Sequence, residues 1–189
     1  WDGLAHWVFK AKLFFDGGNY FDFKNNIPFS YYPHLGTFIW GYFWKNSFIE
    51  YEYFGRCVYA FLYLLTLFLT VSYFFDKNKT LNKQILLTIF LIVITIDFFL
   101  FGGYQEYLLF FLFSILGLFT ILHLQNPKTN FTLILIILNL NLICWSKQEG
   151  FFYVIIIGSI LSFFNYRNLK NFLIFSFFTI IICLISLTL

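Results

Sequence analysis

Long apolar runs without charged side chains leave few folds open to this chain. Six runs cover residues 57–75, 84–100, 107–124, 129–146, 150–166 and 171–189, and only the second contains a charge, Asp97. Each is about as long as a helix that crosses a bilayer. Because 60% of the residues are hydrophobic and only 11% are charged, the composition excludes an ordinary soluble domain and predicts an integral membrane protein.

The runs are apolar on every face and do not alternate with the period of a strand, which disfavours a transmembrane barrel. We therefore predict an all-α fold, a polytopic transmembrane helix bundle with external juxtamembrane helices. Residues 57–189 would form a bundle of about six helices, and residues 1–56 an external loop. The chain lacks methionine, begins at Trp1 and ends inside an apolar run, so we expect a piece of a longer protein, truncated at both ends.

The lysines and arginines between the runs predict the topology, because basic residues are retained on the cytoplasmic side. Basic residues lie in segments 76–83, 125–130 and 165–170. These segments alternate with two turns, 101–106 and 147–149, of which only the second has a basic residue. We expect the three basic segments inside and the two turns outside.

The aromatic stretch 32–48, which contains "YYPHLGTFIWGYFW", resembles another span. It is short, and Trp40 and Trp44 are residues that prefer the membrane interface. The charge pattern favours a half-inserted helix with residues 1–56 all external. The alternative is a full crossing, which would place the amino-terminal loop in the cytoplasm.

The opening stretch "WDGLAHWVFKAKLFFDGG" has the pattern of an interfacial helix over about residues 4–15. Asp2, His6 and Lys10 recur every fourth residue on one face, whereas apolar side chains occupy another. We expect such a helix to lie on the membrane with its polar strip toward water.

Three polar clusters fall on the same predicted external side, and their coincidence is the strongest functional signal in the sequence. They are Asp2 with His6, Gln105 with Glu106, and the turn 147–149. Residues that merely flank spans should be mainly basic and cytoplasmic. These clusters are largely acidic and external, which indicates a site.

Each candidate has a simpler interpretation that stays open at this point. Glu106 could be a solvated residue at a helix start, where a carboxylate suits the helix dipole. Lys147 and Glu149 could form an exposed salt bridge of little energetic value. Asp97 could be functional or reach interfacial water. His123, at the end of a predicted span, is interpreted as an interfacial residue.

Four stretches together carry a family resemblance: "WDGLAHWVFKAKLFFDGG", "YYPHLGTFIWGYFW", "GGYQEYLLFFLFS" and "WSKQEGFFYVIIIG". In order and spacing they resemble the membrane glycosyltransferases of GT-C architecture that use polyprenyl-phosphate sugars. That superfamily includes the protein O-mannosyltransferases and the aminoarabinose transferase acting on lipid A. The resemblance covers residues 1–158 and rests on the set of stretches rather than on one motif.

The resemblance implies roles for particular residues. Asp2 matches the acid that is the family's catalytic base, and Pro33 with Leu35 matches a proline-led helix. Glu106 ends a turn similar to the family's Gly-Tyr-Ala-Asp, with Glu in place of Asp. Many relatives have a second acid directly after the first, whereas this chain has Gly3, so whether Asp2 acts alone stays open.

The second turn, 146–150, is similar to the family's Thr-Lys-x-Glu-Gly. The predicted catalytic residues are thus Asp2 and Glu106, and the predicted substrate-binding residues are Lys147, Glu149, His6 and Lys10. The family's carboxy-terminal part has no counterpart in this chain, so its acceptor-binding elements cannot be located.

The predicted reaction transfers a sugar from a polyprenyl-phosphate donor to a lipid or glycan acceptor on the external, periplasmic face of a bacterial inner membrane. Such a transfer needs a base for the acceptor hydroxyl and positive charge for the leaving phosphate. A divalent metal could supply that charge, although Asp2 and His6 alone are an incomplete ligand set. No basic tract indicates a nucleic-acid partner.

Other functions stay open from the sequence. A polytopic transporter or lipid-linked glycan flippase would be expected to show inverted repeats and polar residues near the midplane. The chain shows no such repeat. An external glycan polymerase or ligase is compatible with the same residues. A purely structural subunit would leave the external acidic clusters unexplained.

Overall fold

The computed structural model describes residues 7–18, 34–74, 81–96, 101–126, 130–147, 149–164 and 169–188. This part of the chain is all-helical, as predicted. Its eight helices are α1 (Val8–Phe15), α2 (Leu35–Lys45), α3 (Glu52–Phe74), α4 (Leu81–Thr95), α5 (Glu106–Gln125), α6 (Asn130–Ser146), α7 (Glu149–Phe164) and α8 (Leu169–Thr188).

Each of the six predicted apolar runs overlaps one of the helices α3 to α8 in the part of the chain that the structure describes. Helices α3 and α5 are long and apolar enough to cross a membrane, and α4, α6 and α7 are shorter apolar helices. The apolar runs therefore mark the helices correctly, and a bundle of six crossing helices remains a prediction.

Helix α2 has 11 residues. At about 1.5 Å per residue it is roughly 16 Å long, about half of a bilayer's hydrocarbon thickness. This length suits the predicted half-inserted helix better than a crossing, and its insertion in a membrane stays a prediction.

Helix α3 begins at Glu52, before the apolar run that predicts it. The carboxylate of Glu52 lies in the first turn, where the helix dipole favours negative charge. Both of its oxygens accept hydrogen bonds from Arg56, one turn later, at 2.5 and 2.7 Å. A polar turn thus extends the helix beyond its apolar part.

The chain forms two compact units, which are described separately. The first comprises residues 1–30 and 36–114. In it, Tyr63 and Leu67 of α3 form an apolar cluster with Leu91 of α4 and Tyr107 of α5. The ring of Tyr63 meets that of Tyr107 edge to face, at 5.9 Å between centroids, and its hydroxyl hydrogen-bonds to Thr95. These contacts hold α3, α4 and the start of α5 together.

Helix α1 packs on α2 within the same unit. The ring of Phe15 stacks on Trp44 with centroids 4.5 Å apart, and Phe14 meets Phe38 edge to face at 5.3 Å. A Cβ at Gly41 would lie 2.5 Å from the carbonyl oxygen of Ala11, so only glycine permits this close approach. The aromatic stretch of the sequence is therefore the surface on which the opening helix rests.

The second unit comprises residues 31–35 and 115–189, with α6, α7 and α8 packed on one another. The hydroxyl of Ser176 in α8 donates to Ser162 in α7 at 3.3 Å. His123 is only 1% exposed; its Nδ1 lies 3.1 Å from the hydroxyl of Thr132, and its ring meets Phe175 edge to face. His123 is therefore covered by α6 and α8, and its position at a membrane interface stays a prediction.

Candidate functional site

A buried cluster in the first unit joins α2, α3 and the turn that precedes α5. We call it the Gln105 cluster. Its members are Gly36, Trp40, Gly55, Tyr59, Gly103 and Gln105. Gln105 and Tyr59 are almost completely buried, and Trp40 is fully buried. The cluster fixes the "GGYQE" turn, which the sequence singled out, against a helix from the aromatic stretch.

A chain of hydrogen bonds runs through the cluster. Nε2 of Gln105 donates to the hydroxyl oxygen of Tyr59 at 2.9 Å, and that hydroxyl donates to the carbonyl oxygen of Gly36 at 2.9 Å. The other amide atom of Gln105, Oε1, occupies the space that a Cβ of Gly36 would need, 1.3 Å from its ideal position. Gln105 therefore fits only because residue 36 is glycine.

Trp40 lies between two further glycines. A Cβ at Gly55 would be 2.2 Å from the indole ring, and a Cβ at Gly103 would be 2.3 Å from it. Gly103 also has a φ of +75°, in the left-handed region that side chains disfavour. Position 103 thus requires glycine for two independent reasons, its backbone conformation and the indole beside it.

Arg56 covers one side of Trp40. The guanidinium carbon lies 5.1 Å from the centroid of Trp40 and 4.7 Å from that of Tyr53. Arg56 is 7% exposed and paired with Glu52 by two hydrogen bonds. A buried charge is tolerated when it is paired and hydrogen-bonded, so this arrangement stabilises a cation next to the aromatic cluster.

Lys10 is the one predicted site residue of α1 that the structure describes. It is fully buried, and its Nζ lies 5.6 Å from the centroid of Trp7. Burial lowers the pKa of Lys10 from 10.5 to about 8. The expectation that the polar strip faces water is wrong at this position, because the face of α1 that bears Lys10 and Ala11 packs on the protein and exposed Phe9 lies outside it.

Glu106 is the first residue of α5 and is exposed. The backbone carbonyl of its neighbour Gln105 accepts from the amide of Leu109 at 3.0 Å, which starts the helix. The side chains of Gln105 and Glu106 therefore differ in surroundings. The first holds the turn in place, and the second presents a carboxylate at the positive end of a helix, as the simpler interpretation expects.

In the second unit, Lys147 and Glu149 form an ion pair with 3.8 Å between Nζ and Oε1. Their side chains are 22% and 56% exposed, so the pair contributes about 0–1 kcal/mol to stability. The turn itself is tightly built. Ser146 is buried and donates to the carbonyl of Ile143 at 2.7 Å, and a Cβ at Gly150 would lie 2.1 Å from that same oxygen.

Two predicted site residues, Asp2 and His6, lie outside the described residues, as does Asp97. Glu106 and Lys10 belong to the first unit and the turn at Lys147 to the second, so convergence of the three polar clusters stays a prediction. Within the described residues, no three histidine, cysteine or acidic side chains form a metal-binding group. A divalent metal that uses Asp2 and His6 also stays a prediction.

The sequence reasoning missed Gly36, Trp40 and Tyr59 as cluster members and Arg56 as the cation beside them. Arg56 carries a signal in the sequence, because it lies one turn after Glu52 at the edge of an apolar helix. Gly36 and Tyr59 carry none. Their importance comes from contact with Gln105, which follows much later in the chain.

Comparison with known proteins adds no relative. No protein-family model, curated protein or solved structure matches the chain.

Proposed function

We propose that this chain is the membrane-embedded part of a glycosyltransferase that moves a sugar from a polyprenyl-phosphate donor to a lipid or glycan acceptor. The chain would form a polytopic helix bundle in a bacterial inner membrane, with its reaction site on the periplasmic face. Asp2 would be the base. Lys10 or Lys147 would bind the donor phosphate, with Glu106, Glu149 and His6 beside them.

The observation that supports the proposal most directly is the Gln105 cluster. One compact unit contains the described part of the first stretch, residues 36–44 of the second and all of the third of the four stretches that resemble the GT-C enzymes. Within that unit, α1 rests on α2, and Gln105 joins α2 to the turn bearing Glu106. An enzyme whose proposed catalytic residues, Asp2 and Glu106, come from distant stretches needs such a fixed frame.

The desolvated amine of Lys10 is a candidate for the group that stabilises the donor phosphate. With a pKa of about 8, Lys10 is still mostly cationic at neutral pH. In a water-poor site, a positive charge interacts more strongly with a phosphate than it would in bulk water. Lys10 is therefore suited to stabilise negative charge that develops on a leaving polyprenyl phosphate.

The reaction balances with the chain's own groups. The carboxylate of Asp2 takes the proton of the acceptor hydroxyl, and the acceptor oxygen attacks the anomeric carbon. The bond from that carbon to the phosphate oxygen breaks, and polyprenyl phosphate leaves with the electron pair. Attack opposite the leaving group inverts the anomeric configuration.

The test uses the full-length protein in liposomes made with a membrane lipid extract of the source cells, which contains its polyprenyl-phosphate sugars. Mass spectrometry follows release of free polyprenyl phosphate and gain of a sugar by the acceptor. We expect Asp2→Asn to abolish transfer while donor still co-purifies, because the amide keeps the shape and loses the base.

Asp16→Asn is the matched control, because Asp16 is an exposed acid at the carboxy-terminal end of α1. It should leave transfer unchanged. Wild-type turnover by Asp2→Asn would reject the base assignment. Movement of donor lipid across the bilayer without sugar transfer would reject the transferase and favour the flippase.

A further inference from the structure

An apolar groove with one basic end lies between α6 and α8 in the second unit. Its volume is about 360 Å³. Helix α6 supplies four aliphatic side chains, Leu133, Ile134, Ile137 and Leu138. Helix α8 supplies Lys170, Ile174 and Phe178. Ile134, Leu138 and Phe178 are exposed, so the groove is open at the surface of the unit.

The charge in the groove is confined to one end. Lys170, Ile174 and Phe178 follow one another at four-residue spacing and therefore lie along one face of α8. Lys170 is the second residue of α8, and the distance along the axis to Phe178 is about 12 Å. Among the described residues that line the groove, none is acidic.

The groove has two parts, its apolar walls and its basic end, and one class of ligand fits both. The apolar walls fit an acyl chain, and Lys170 at a helix start, where the dipole adds positive character, fits an anionic phosphate. Basic pockets between membrane helices bind anionic lipid head groups in the same way. A zwitterionic lipid offers the same chain but places a second positive charge near the lysine.

We infer that the groove between α6 and α8 is a binding site for one anionic phospholipid, with its phosphate at Lys170 and an acyl chain along Ile137, Ile174 and Phe178. The site is separate from every residue assigned to the sugar transfer. The inference rests on the proposed membrane location and is independent of the transferase activity.

The test is native mass spectrometry of the full-length protein taken from nanodiscs of dioleoyl-phosphatidylglycerol or dioleoyl-phosphatidylcholine. We expect one phosphatidylglycerol to be retained in preference to phosphatidylcholine. Lys170→Gln should weaken phosphatidylglycerol retention about fivefold and leave phosphatidylcholine unchanged, because one lysine contributes modestly to anionic lipid binding. Lys83→Gln, an exposed lysine in the first turn of α4, is the matched control and should have no effect.

A second variant tests the apolar half of the groove. Leu138→Trp places a large ring at an exposed lining position and should weaken retention of both lipids. Leu142→Trp makes the same change at an exposed position of α6 outside the lining and should not.

Three results would overturn the site. Equal retention of both lipids by the wild type would show that the groove does not select the lipid head group. Unchanged retention in Leu138→Trp would show that the lysine acts as a surface charge alone. Binding of glycerophosphate as tight as that of phosphatidylglycerol would identify an anion site without a lipid chain. Loss of sugar transfer with lipid retention intact would leave this site standing and concern only the proposed enzyme.

Discussion

The side-chain amide of Gln105 donates a hydrogen bond to the hydroxyl of Tyr59, 46 residues earlier in the chain, at 2.9 Å. This contact ties the turn before α5 to the amino-terminal half of α3. Because the same hydroxyl donates to Gly36, one tyrosine connects three segments of the first unit. Exposed Glu106 follows Gln105 directly in the chain, so its position depends on the hydrogen bond between Gln105 and Tyr59.

Replacing Gly36 by alanine should destabilise the first unit. The new methyl group would occupy the place of Oε1 of Gln105, and overpacking of this kind costs about 1–3 kcal/mol. A thermal-shift assay in detergent should show a lower melting temperature. Gly117→Ala is the matched control, since nothing lies within 4 Å of its Cβ position in α5. Equal melting temperatures for the two variants would contradict the close packing at Gly36.

Replacing Tyr59 by phenylalanine should remove the link between Gln105 and Gly36 while keeping the ring. Both partners are left buried without that bond, at a cost of about 1–3 kcal/mol. Hydrogen exchange should become faster in the turn 101–105. Tyr51→Phe, at an exposed position, should change neither exchange nor melting temperature. Unaltered exchange in Tyr59→Phe would mean that the turn is held by other contacts.

The lowered pKa of Lys10 predicts how the stability of the fold changes with pH, including the sign of the change. Its pKa is lowered to about 8 in the folded protein from 10.5, so the unfolded chain binds more protons between these values. Stability due to this group should therefore rise as the pH increases from about 8 to 10.5. The measurement is the melting temperature of the wild type minus that of Lys10→Met across this window.

Lys12→Met removes a charge from an exposed position of the same helix and serves as the control for the Lys10 experiment. The melting temperature of the wild type minus that of Lys10→Met should increase as the pH rises. A flat or falling difference would show that the amine of Lys10 is not desolvated.

Lys147→Ala separates the two interpretations of the second turn. If Lys147 contacts the donor phosphate, the variant should bind polyprenyl-phosphate sugar less tightly and turn it over more slowly. If its pair with Glu149 is only an exposed salt bridge, the variant should lose about 0–1 kcal/mol of stability and no activity. Lys45→Ala, at the exposed end of α2, is the control for loss of a surface lysine. Donor retention and turnover are measured on the same preparation.

The topology is testable with single cysteines in a protein from which Cys57, Cys144 and Cys183 have been removed. Cysteine at Glu50 should react with an impermeant maleimide from the periplasmic side, and cysteine at Lys83 should react only after the cells are opened. Both positions are exposed in the structure. The reverse pattern would invert the orientation predicted from the basic segments.

The sequence was sufficient to locate the helices, because long runs that are apolar on every face have few other ways to satisfy their backbone hydrogen bonds. It failed at Lys10, since a helical period assigns polar residues to water and does not reveal which protein element will cover them. For the same reason the sequence gives no sign that α6 and α8 bury His123.

The candidate site was predictable only in part. The motifs pointed to the turn at Gln105 and Glu106 and assigned a role to Glu106 alone. The structure separates them, burying Gln105 and exposing Glu106. That separation depends on Gly36 and Tyr59, whose contact with Gln105 is a property of the folded chain and leaves no local pattern in the sequence.

The enclosure of Trp40 has a consequence for the order in which this unit is assembled. Its indole lies between Gly55 and Gly103, and both glycines are synthesised after it. When α2 emerges from the ribosome, Gly55 and Gly103, which lie against its tryptophan in the folded protein, have not yet been synthesised. The indole of Trp40 can therefore reach its final packing only after Gly103 has been synthesised. Helix α2 therefore packs fully only after the turn that precedes α5 has been made.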